Sequence, residues 1–160
     1  QGGTDTRAQF SGEVEYRSYP TMDITIPKDL YSNTKMKEPT SLELLKSGDE
    51  ITNTSYFDVD KDGKKEKIIS LCSVGANHCP DTQLVIKDNT VIFSLVGKLM
   101  GGSIDPTATG NGFYANWYTD KDFEKGLCCS SGNTRTRFIY KDNIFIPIFE
   151  QRIGYIEVNN

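Results

Sequence analysis

Four acidic side chains at short, regular intervals are the residues of this chain whose spacing points most directly to chemistry. Asp58, Asp60 and Asp62 alternate along the chain, Gly63 follows at once, and Glu66 comes three residues later. Carboxylates at alternate positions can turn their oxygens toward one point, which is what a hard, oxygen-seeking cation requires. Gly63 permits the sharp bend that turns a later backbone carbonyl inward. The pattern therefore predicts a calcium site.

The remaining ligands follow from the same loop. The carbonyl of Lys64 is predicted to turn toward the ion and Glu66 to close the shell. The loop differs from an EF-hand, because position 12 counted from Asp58 is Ile69 rather than Glu, and a strand-like run follows. The alternative is a solvated acidic turn between two strands, which the turn-forming Asp62-Gly63 pair would favour.

The loop with its following strand, roughly residues 56–75, resembles the loop-then-strand calcium motif of FG-GAP and VCBS-type repeats. That resemblance implies calcium as the bound ion. It also implies a secreted or surface-exposed protein, which we expect to be periplasmic or extracellular.

Composition excludes several classes of function. The chain has 160 residues and a net charge of −4, and its lysines are scattered among acids, which argues against nucleic-acid binding. It has no apolar run long enough to span a membrane. We expect a flexible tether over residues 1–12 and a single β-rich domain over 13–160. The start at Gln1 fits a mature chain whose targeting segment has been removed, and whether that segment carried a lipid anchor stays open.

Strand composition dominates the chain. Segments rich in β-branched and aromatic residues are predicted as strands at 14–19, 22–26, 68–74, 83–87, 90–96, 112–118, 134–140, 144–149 and 152–158. The pairs Asp88-Asn89 and Asp142-Asn143 predict tight hairpin turns, and Pro147 predicts an edge position. The expected fold is mainly β: antiparallel sheets with one or two short helices, stapled by disulfides and calcium.

One short helix is predicted ahead of these strands. Thr40 or Ser41 can cap it, it runs through residue 46, and Gly48 ends it. Three leucines are expected to face inward: Leu42, Leu44 and Leu45.

Four cysteines predict disulfides in an exported chain. Cys128 and Cys129 are adjacent, and their Cα atoms lie closer than a disulfide normally spans. We therefore expect two bridges that join the region of Cys72 and Cys79 to this pair. A tetrahedral zinc site using Cys72, His78, Cys79 and one of the pair is the rival interpretation, and the absence of a C-x₂₋₄-C spacing disfavours it.

The adjacent cysteines precede the segment Thr134-Arg-Thr-Arg-Phe-Ile-Tyr140, with an acidic calcium-type loop upstream. This arrangement is similar to one found in small exported bacterial proteins, although Ser130 stands where a proline often follows the pair.

A partner surface is predicted on the glycine-rich stretch 97–112, a long loop whose apolar tips would need covering. The predicted contact residues are Leu99, Met100 and Ile104 in that loop, His78 in a turn, and Trp117 in the strand that follows. The chain has none of the common hydrolase or nucleotide-binding motifs.

The leading hypothesis is a non-enzymatic exported inhibitor or immunity protein that occludes a secreted toxin or cell-wall lytic enzyme. One alternative is a calcium-dependent surface adhesion or carbohydrate-contacting module. The second is a hydrolase using carboxylates from the set Asp105, Asp120, Asp122 and Glu124.

Overall fold

A computed structural model describes residues 14–21, 28–96, 102–107, 110–118 and 132–157. The strands are β1 (Val14–Thr21), β2 (Tyr31–Ser32), β3 (Glu50–Phe57), β4 (Glu66–Cys72), β5 (Thr82–Lys87), β6 (Thr90–Val96), β7 (Gly102–Pro106), β8 (Phe113–Trp117), β9 (Gly132–Lys141) and β10 (Ile144–Glu157). A 3-10 helix covers Lys28–Leu30 and helix α1 covers Ser41–Ser47. None of the described helices is long and apolar enough to cross a membrane.

The strands form two five-stranded antiparallel sheets, so the predicted mainly β fold is confirmed. Sheet A has the order β1-β10-β9-β8-β7, and sheet B has the order β2-β6-β5-β4-β3. Along β8 and β9, buried and half-buried residues alternate, which is the period of a strand with one face in a core.

Aromatic rings from both sheets fill the space between them. Phe93 of sheet B lies 5.0–5.3 Å, centroid to centroid, from three rings of sheet A: Phe113, Phe138 and Phe145. All four are at most 1% exposed. These separations lie in the favourable range for aromatic pairs, so the rings hold the sheets face to face.

Three side-chain amides each make two hydrogen bonds with the backbone of a strand, as a neighbouring strand would do. The side-chain amide of Gln83 donates to the carbonyl of Gly102 (2.7 Å) and accepts from the amide of Ile104 (2.9 Å), both on edge strand β7. Asn33 makes the same two-way contact with the backbone of Phe145. Asn111 makes it with the backbone of Tyr140. Each amide therefore satisfies backbone groups that would otherwise lack a partner.

The two hairpin predictions are confirmed. Asp88, Asn89, Asp142 and Asn143 all have φ between 50° and 65°, as a two-residue turn with both central residues left-handed requires. Pro147 lies in β10, which has neighbours on both sides, but residues 144–149 pair with β9 alone among the described strands. The proline therefore occupies a local edge, beside a register shift between residues 147 and 149.

Helix α1 begins and ends as predicted, but its leucines do not all face inward. The hydroxyl of Thr40 accepts from the amide of Glu43 (3.1 Å), and Gly48 ends the helix in the left-handed conformation. Leu44 packs against the buried outer side of sheet B, whereas Leu42 and Leu45 are 59% and 78% exposed. The expectation that all three face inward is wrong, because two helical turns present one narrow stripe to the sheet.

Three strands were not expected: the two-residue β2, β3 and β7. β3 is rich in Thr, Ser and Asn, and seven of its eight residues are exposed, so it carries no alternation of buried and polar residues. β7 lies inside the stretch 97–112 that was predicted as one long loop. Its Gly and Pro residues are typical of turns, which hid the strand. The predicted tether 1–12 and strand 22–26 lie outside the described residues.

Candidate metal centre

The acidic loop connects β3 to β4 in a hairpin. The last pair of the ladder is Phe57 opposite Glu66, so residues 58–65 form the connection. Val59 is 1% exposed and belongs to the central core cluster. Its carbonyl also accepts a hydrogen bond from the amide of Gly112. The loop is thereby fixed to the sandwich at Val59, with Asp58 half-buried on one side and the Asp60 side chain 4% exposed on the other.

The four predicted acids converge. One carboxylate oxygen from each of Asp58, Asp60, Asp62 and Glu66 lies within 4.8 Å of the others. Backbone amides hold them in place: Gly63 donates to Asp58 (2.9 Å) and Lys64 donates to Asp62 (2.8 Å). Donors of this kind fix the side-chain conformations before any ion arrives, so an oxygen-rich cluster is preformed.

The loop backbone needs left-handed residues to bring the carboxylates together. Gly63 has φ of 92° and Lys61 has φ of 60°. A Cβ on Gly63 would meet nothing within 4 Å, so the glycine is required for its backbone conformation and not for space. This agrees with the predicted bend. The carbonyl of Lys64 as a further ligand stays a prediction.

Glu66 distinguishes this loop from an ordinary solvated turn. It is 2% exposed, and its Oε2 accepts a hydrogen bond from the amide of Val59 at 2.7 Å. Desolvation raises the pKa of Glu66, the hydrogen bond from Val59 opposes that rise, and the charges of Asp60 and Asp62 reinforce it. A buried carboxylate facing other carboxylates is a strong acceptor for a cation.

Lys87, which was not predicted, supplies the cluster with an internal counter-ion. Its ammonium donates to Asp60 and to Asp62, the latter at 3.0 Å, and lies 5.8 Å from the ring centroid of Tyr140. The backbone hydrogen bond from Lys64, followed by the contact with Lys87, lowers the pKa of Asp62 to about 2. The hydrogen bond to Asp60 raises the pKa of Lys87. Lys87 ends β5, 25 residues beyond Asp62, so no local spacing could have indicated it.

These observations fit a metal ion held by oxygen ligands. The donor set is entirely carboxylate, without a histidine or thiolate among the four residues, and such a set suits a hard cation. The four acids can hold a metal ion, and calcium is compatible with them.

The disulfide prediction needs correction. Cys72 and Cys79 are bonded to each other, with their Cα atoms 5.1 Å apart. The chain reverses between them: the amide of Ser73 donates to Asp81 (2.7 Å) and the amide of Asp81 donates to Leu71 (3.0 Å). This reversal brings the two cysteines within bonding distance. The prediction excludes a bond between Cys128 and Cys129 and does not consider a bond between Cys72 and Cys79. Two bridges from this region to Cys128 and Cys129 are thereby excluded, and that pair lies outside the described residues.

Of the predicted partner residues that the structure describes, only His78 is exposed. His78 is exposed on the turn that the disulfide closes. Ile104 is half-buried in β7 and packs against the core. Trp117 is 0% exposed, and its Nε1 donates to Thr136 at 3.1 Å, so its predicted contact with a partner is corrected to a role in the core. Leu99 and Met100 lie outside the described residues.

Other exposed apolar residues lie near His78 and were missed. Val74 is 70% exposed, and its side chain packs where a Cβ on Gly48 would be, at the end of helix α1. Exposed Leu45 belongs to the last turn of the same helix. This surface was missed because all three leucines of the helix were assigned to the buried side.

Of the carboxylates proposed for hydrolysis, Asp105 is engaged elsewhere. It accepts from Arg135 at 3.0 Å on the outer side of sheet A. Asp120, Asp122 and Glu124 lie outside the described residues. Comparisons with protein-family models, with curated proteins and with solved structures give no match to this chain. The FG-GAP and VCBS resemblance therefore rests on the loop alone.

Proposed function

We propose that this protein is an exported calcium-binding protein that acts by binding another protein, as an inhibitor or immunity protein that occludes a secreted toxin or cell-wall lytic enzyme. The observation that carries the calcium part is the convergence of four carboxylate groups within 4.8 Å. Calcium is preferred to magnesium because a crowded all-carboxylate loop suits a large ion with many ligands, whereas magnesium tends to keep its water.

The disulfide supports the location. Disulfides persist mainly in oxidising compartments, and Cys72–Cys79 closes a turn at the surface of the protein. A periplasmic or extracellular site also supplies the calcium that such a loop would need. The bond and the ion would together stabilise a domain that works outside the cytosol.

The contact surface that we propose is the disulfide-closed turn with the end of helix α1 beside it. It presents the exposed side chains of His78 and Val74 on a backbone that a covalent bond restrains, and that of Leu45 in the last turn of helix α1. A restrained apolar surface loses little conformational entropy on binding, so it suits an occluding protein. This surface replaces the one that included Trp117.

The calcium part is tested with the full chain by following its melting temperature against free calcium and, separately, magnesium. Binding to the folded state should raise the melting temperature with the logarithm of free calcium. The variant Asp60→Asn/Asp62→Asn should lose that rise, and Asp88→Asn/Asp142→Asn, which removes two acids from hairpin turns, should keep it. An unchanged wild-type curve with and without chelator would show that the loop is only a turn.

The occlusion part needs a partner and a measured activity. Secreted toxins and peptidoglycan hydrolases from the source organism should be assayed with and without the purified protein. Inhibition that Val74→Asp weakens at least tenfold, about 1.4 kcal/mol, and that Ile148→Asp leaves unchanged supports the proposed surface. Ile148 is 51% exposed on β10 and serves as the matched control. Glycan binding abolished by chelator would favour the adhesion module, and turnover lost on carboxylate substitution would favour the hydrolase.

A further inference from the structure

Strand β3 is an open edge of sheet B. It ends the order β2-β6-β5-β4-β3, and β4 is its one neighbour among the described strands. Seven of its eight residues are exposed. Thr54 and Tyr56 lie opposite Ile69 and Lys67, and the residues between them project from the opposite face of the sheet. Both faces of β3 are therefore open to solvent.

The other edge strand, β7, has part of its outer backbone hydrogen-bonded by a side chain. Gln83 hydrogen-bonds Gly102 and Ile104 on β7, and so occupies part of the backbone edge that β8 leaves free. Within the described part of the chain, no side chain makes such a contact with the backbone of β3. Among the described residues, the outer edge of β3 therefore has backbone donors and acceptors without a partner, which are a template for another strand.

The protective features of β3 are confined to its start, where Glu50 is charged and a register shift lies between residues 51 and 53. Residues 51–57 contain no charged residue and no proline, two of the devices that prevent edge-to-edge pairing. Ile51, Tyr56 and Phe57 are 48%, 55% and 45% exposed. A register shift between residues 51 and 53 leaves 53–57 as the regular part of the strand.

We propose that β3 pairs antiparallel with β3 of a second copy of this chain, which joins two B sheets into one continuous ten-stranded sheet. A two-fold axis perpendicular to the sheet requires one residue to lie opposite the same residue of the second copy. We place Ser55 there, because it is the middle residue of the regular part 53–57. This register places Thr54 opposite Tyr56 of the second copy, and Asn53 opposite Phe57 of the second copy.

The register is consistent on both faces of the sheet. Thr54 and Tyr56 share one face, and Asn53 and Phe57 share the other, so each residue meets a residue from its own face. A β-branched residue opposite an aromatic ring is a stabilising cross-strand pair, and it occurs twice by symmetry. Residues 53–57 are uncharged, so this pairing juxtaposes no like charges. This self-complementarity favours a second copy over an unrelated strand, and it does not depend on the function proposed above.

The first test is sedimentation velocity of the full chain from micromolar to millimolar concentration. We expect a reversible dimer whose dissociation constant rises roughly tenfold or more in Thr54→Lys/Tyr56→Lys. Ile144→Lys/Ile148→Lys is the control, because it places two lysines at exposed apolar positions of β10. Circular dichroism and melting show whether each variant remains folded. A monomer over the whole range, or a dimer that the control weakens as much as the β3 variant does, would overturn the proposal.

The second test reads the register and does not require a destabilising change. Ser55→Cys should form an interchain disulfide under mild oxidation, since residues directly opposite in an antiparallel pair have Cβ atoms about 4.5–5.5 Å apart. Asn53→Cys should cross-link far less, because it faces Phe57 of the second copy. Equal cross-linking at both positions, at the level of the unmodified chain, would contradict a pair centred on Ser55.

Discussion

The two ends of strand β4 are held by different kinds of interaction. At its start, Glu66 enters a cluster of carboxylates that is balanced by Lys87 and by backbone amides. At its end, Cys72 is bonded to Cys79. The first arrangement is electrostatic, so it is sensitive to protons and salt and can hold a metal ion, whereas the second is sensitive to redox conditions. One strand therefore links a surface loop that can respond to its ionic surroundings with a turn whose shape is fixed covalently.

The two ends of β4 should also differ in how they affect the stability of the protein. The covalent end restrains the turn that carries His78 and Val74, so its removal should affect the whole unfolding equilibrium. The acidic end should change stability through its hydrogen bonds and through any ion that it binds.

The largest effect is expected at the covalent end. Cys72→Ser/Cys79→Ser opens a loop whose cysteines are 7 positions apart, and the chain-entropy relation gives a loss of roughly 2–3 kcal/mol in the free energy of unfolding. Urea denaturation measures it. The response of the melting temperature to calcium should persist, because the acidic loop lies at the other end of β4. Peptide mapping that links position 72 or 79 to 128–129 would contradict the pairing described here.

The next effect is expected at Glu66. In Glu66→Ala the buried amide of Val59 loses its acceptor, which should cost about 1–3 kcal/mol of unfolding free energy without metal. Glu66→Gln keeps an acceptor and removes the buried charge, so it should unfold close to the wild type in metal-free buffer. Both should bind calcium more weakly. Equal stability of the two variants would mean that the hydrogen bond to Val59 has little energetic weight.

The fold was predictable where local chemistry decides it. Alternating aromatic residues in β8, the left-handed pairs Asp88-Asn89 and Asp142-Asn143, and the capping Thr40 each act within a few residues. β3 was missed because an exposed edge strand needs no apolar alternation. Its existence depends on pairing with β4, which is a tertiary fact.

The acidic site was predictable for a similar reason, since four of its groups lie within nine consecutive residues. Its counter-ion was not, because Lys87 reaches the loop only after β4 and β5 pair. The disulfide shows the reverse error: the two cysteines are close in sequence, yet reasoning by elimination joined them to distant ones. The turn between β4 and β5, which decides their distance, has no spacing signature of its own.

Replacing Lys87 should have a smaller effect and should strengthen calcium binding, whereas replacing Glu66 should weaken it. Its ammonium competes with a metal ion for Asp60 and Asp62, so Lys87→Met should strengthen calcium binding about tenfold, since two unit charges 4 Å apart interact by about 1 kcal/mol even in water. The metal-free protein should be less stable, because the carboxylates lose their counter-ion. Lys67→Met is the control, since Lys67 pairs with Glu38 at 2.7 Å. Calorimetric titration measures the affinities, and equal affinity in both variants would show that Lys87 does not compete.

The smallest effects concern pH, and the two acids predict slopes of opposite sign in metal-free protein. The pKa of Asp62 is about 2 in the folded state against an ordinary 3.8, so the unfolded chain binds more protons between these values and stability falls as pH drops through them. The pKa of Glu66 is raised above its ordinary 4.5, so the folded state binds more protons above that value and stability falls as pH rises through the raised pKa. The contribution of Asp62 should be slight, because the group is exposed to solvent.

Urea unfolding across this pH range, on protein freed of metal with a chelating resin, measures both slopes. Asp62→Asn should flatten the acidic slope and Glu66→Gln the upper one, with each variant serving as the control for the other. Saturating calcium should remove the upper slope as well, because an ion bound to the Glu66 carboxylate favours its charged form and offsets the desolvation that raises its pKa. If the upper slope survived in saturating calcium, the ion would not contact Glu66, and the site would be confined to Asp58, Asp60 and Asp62.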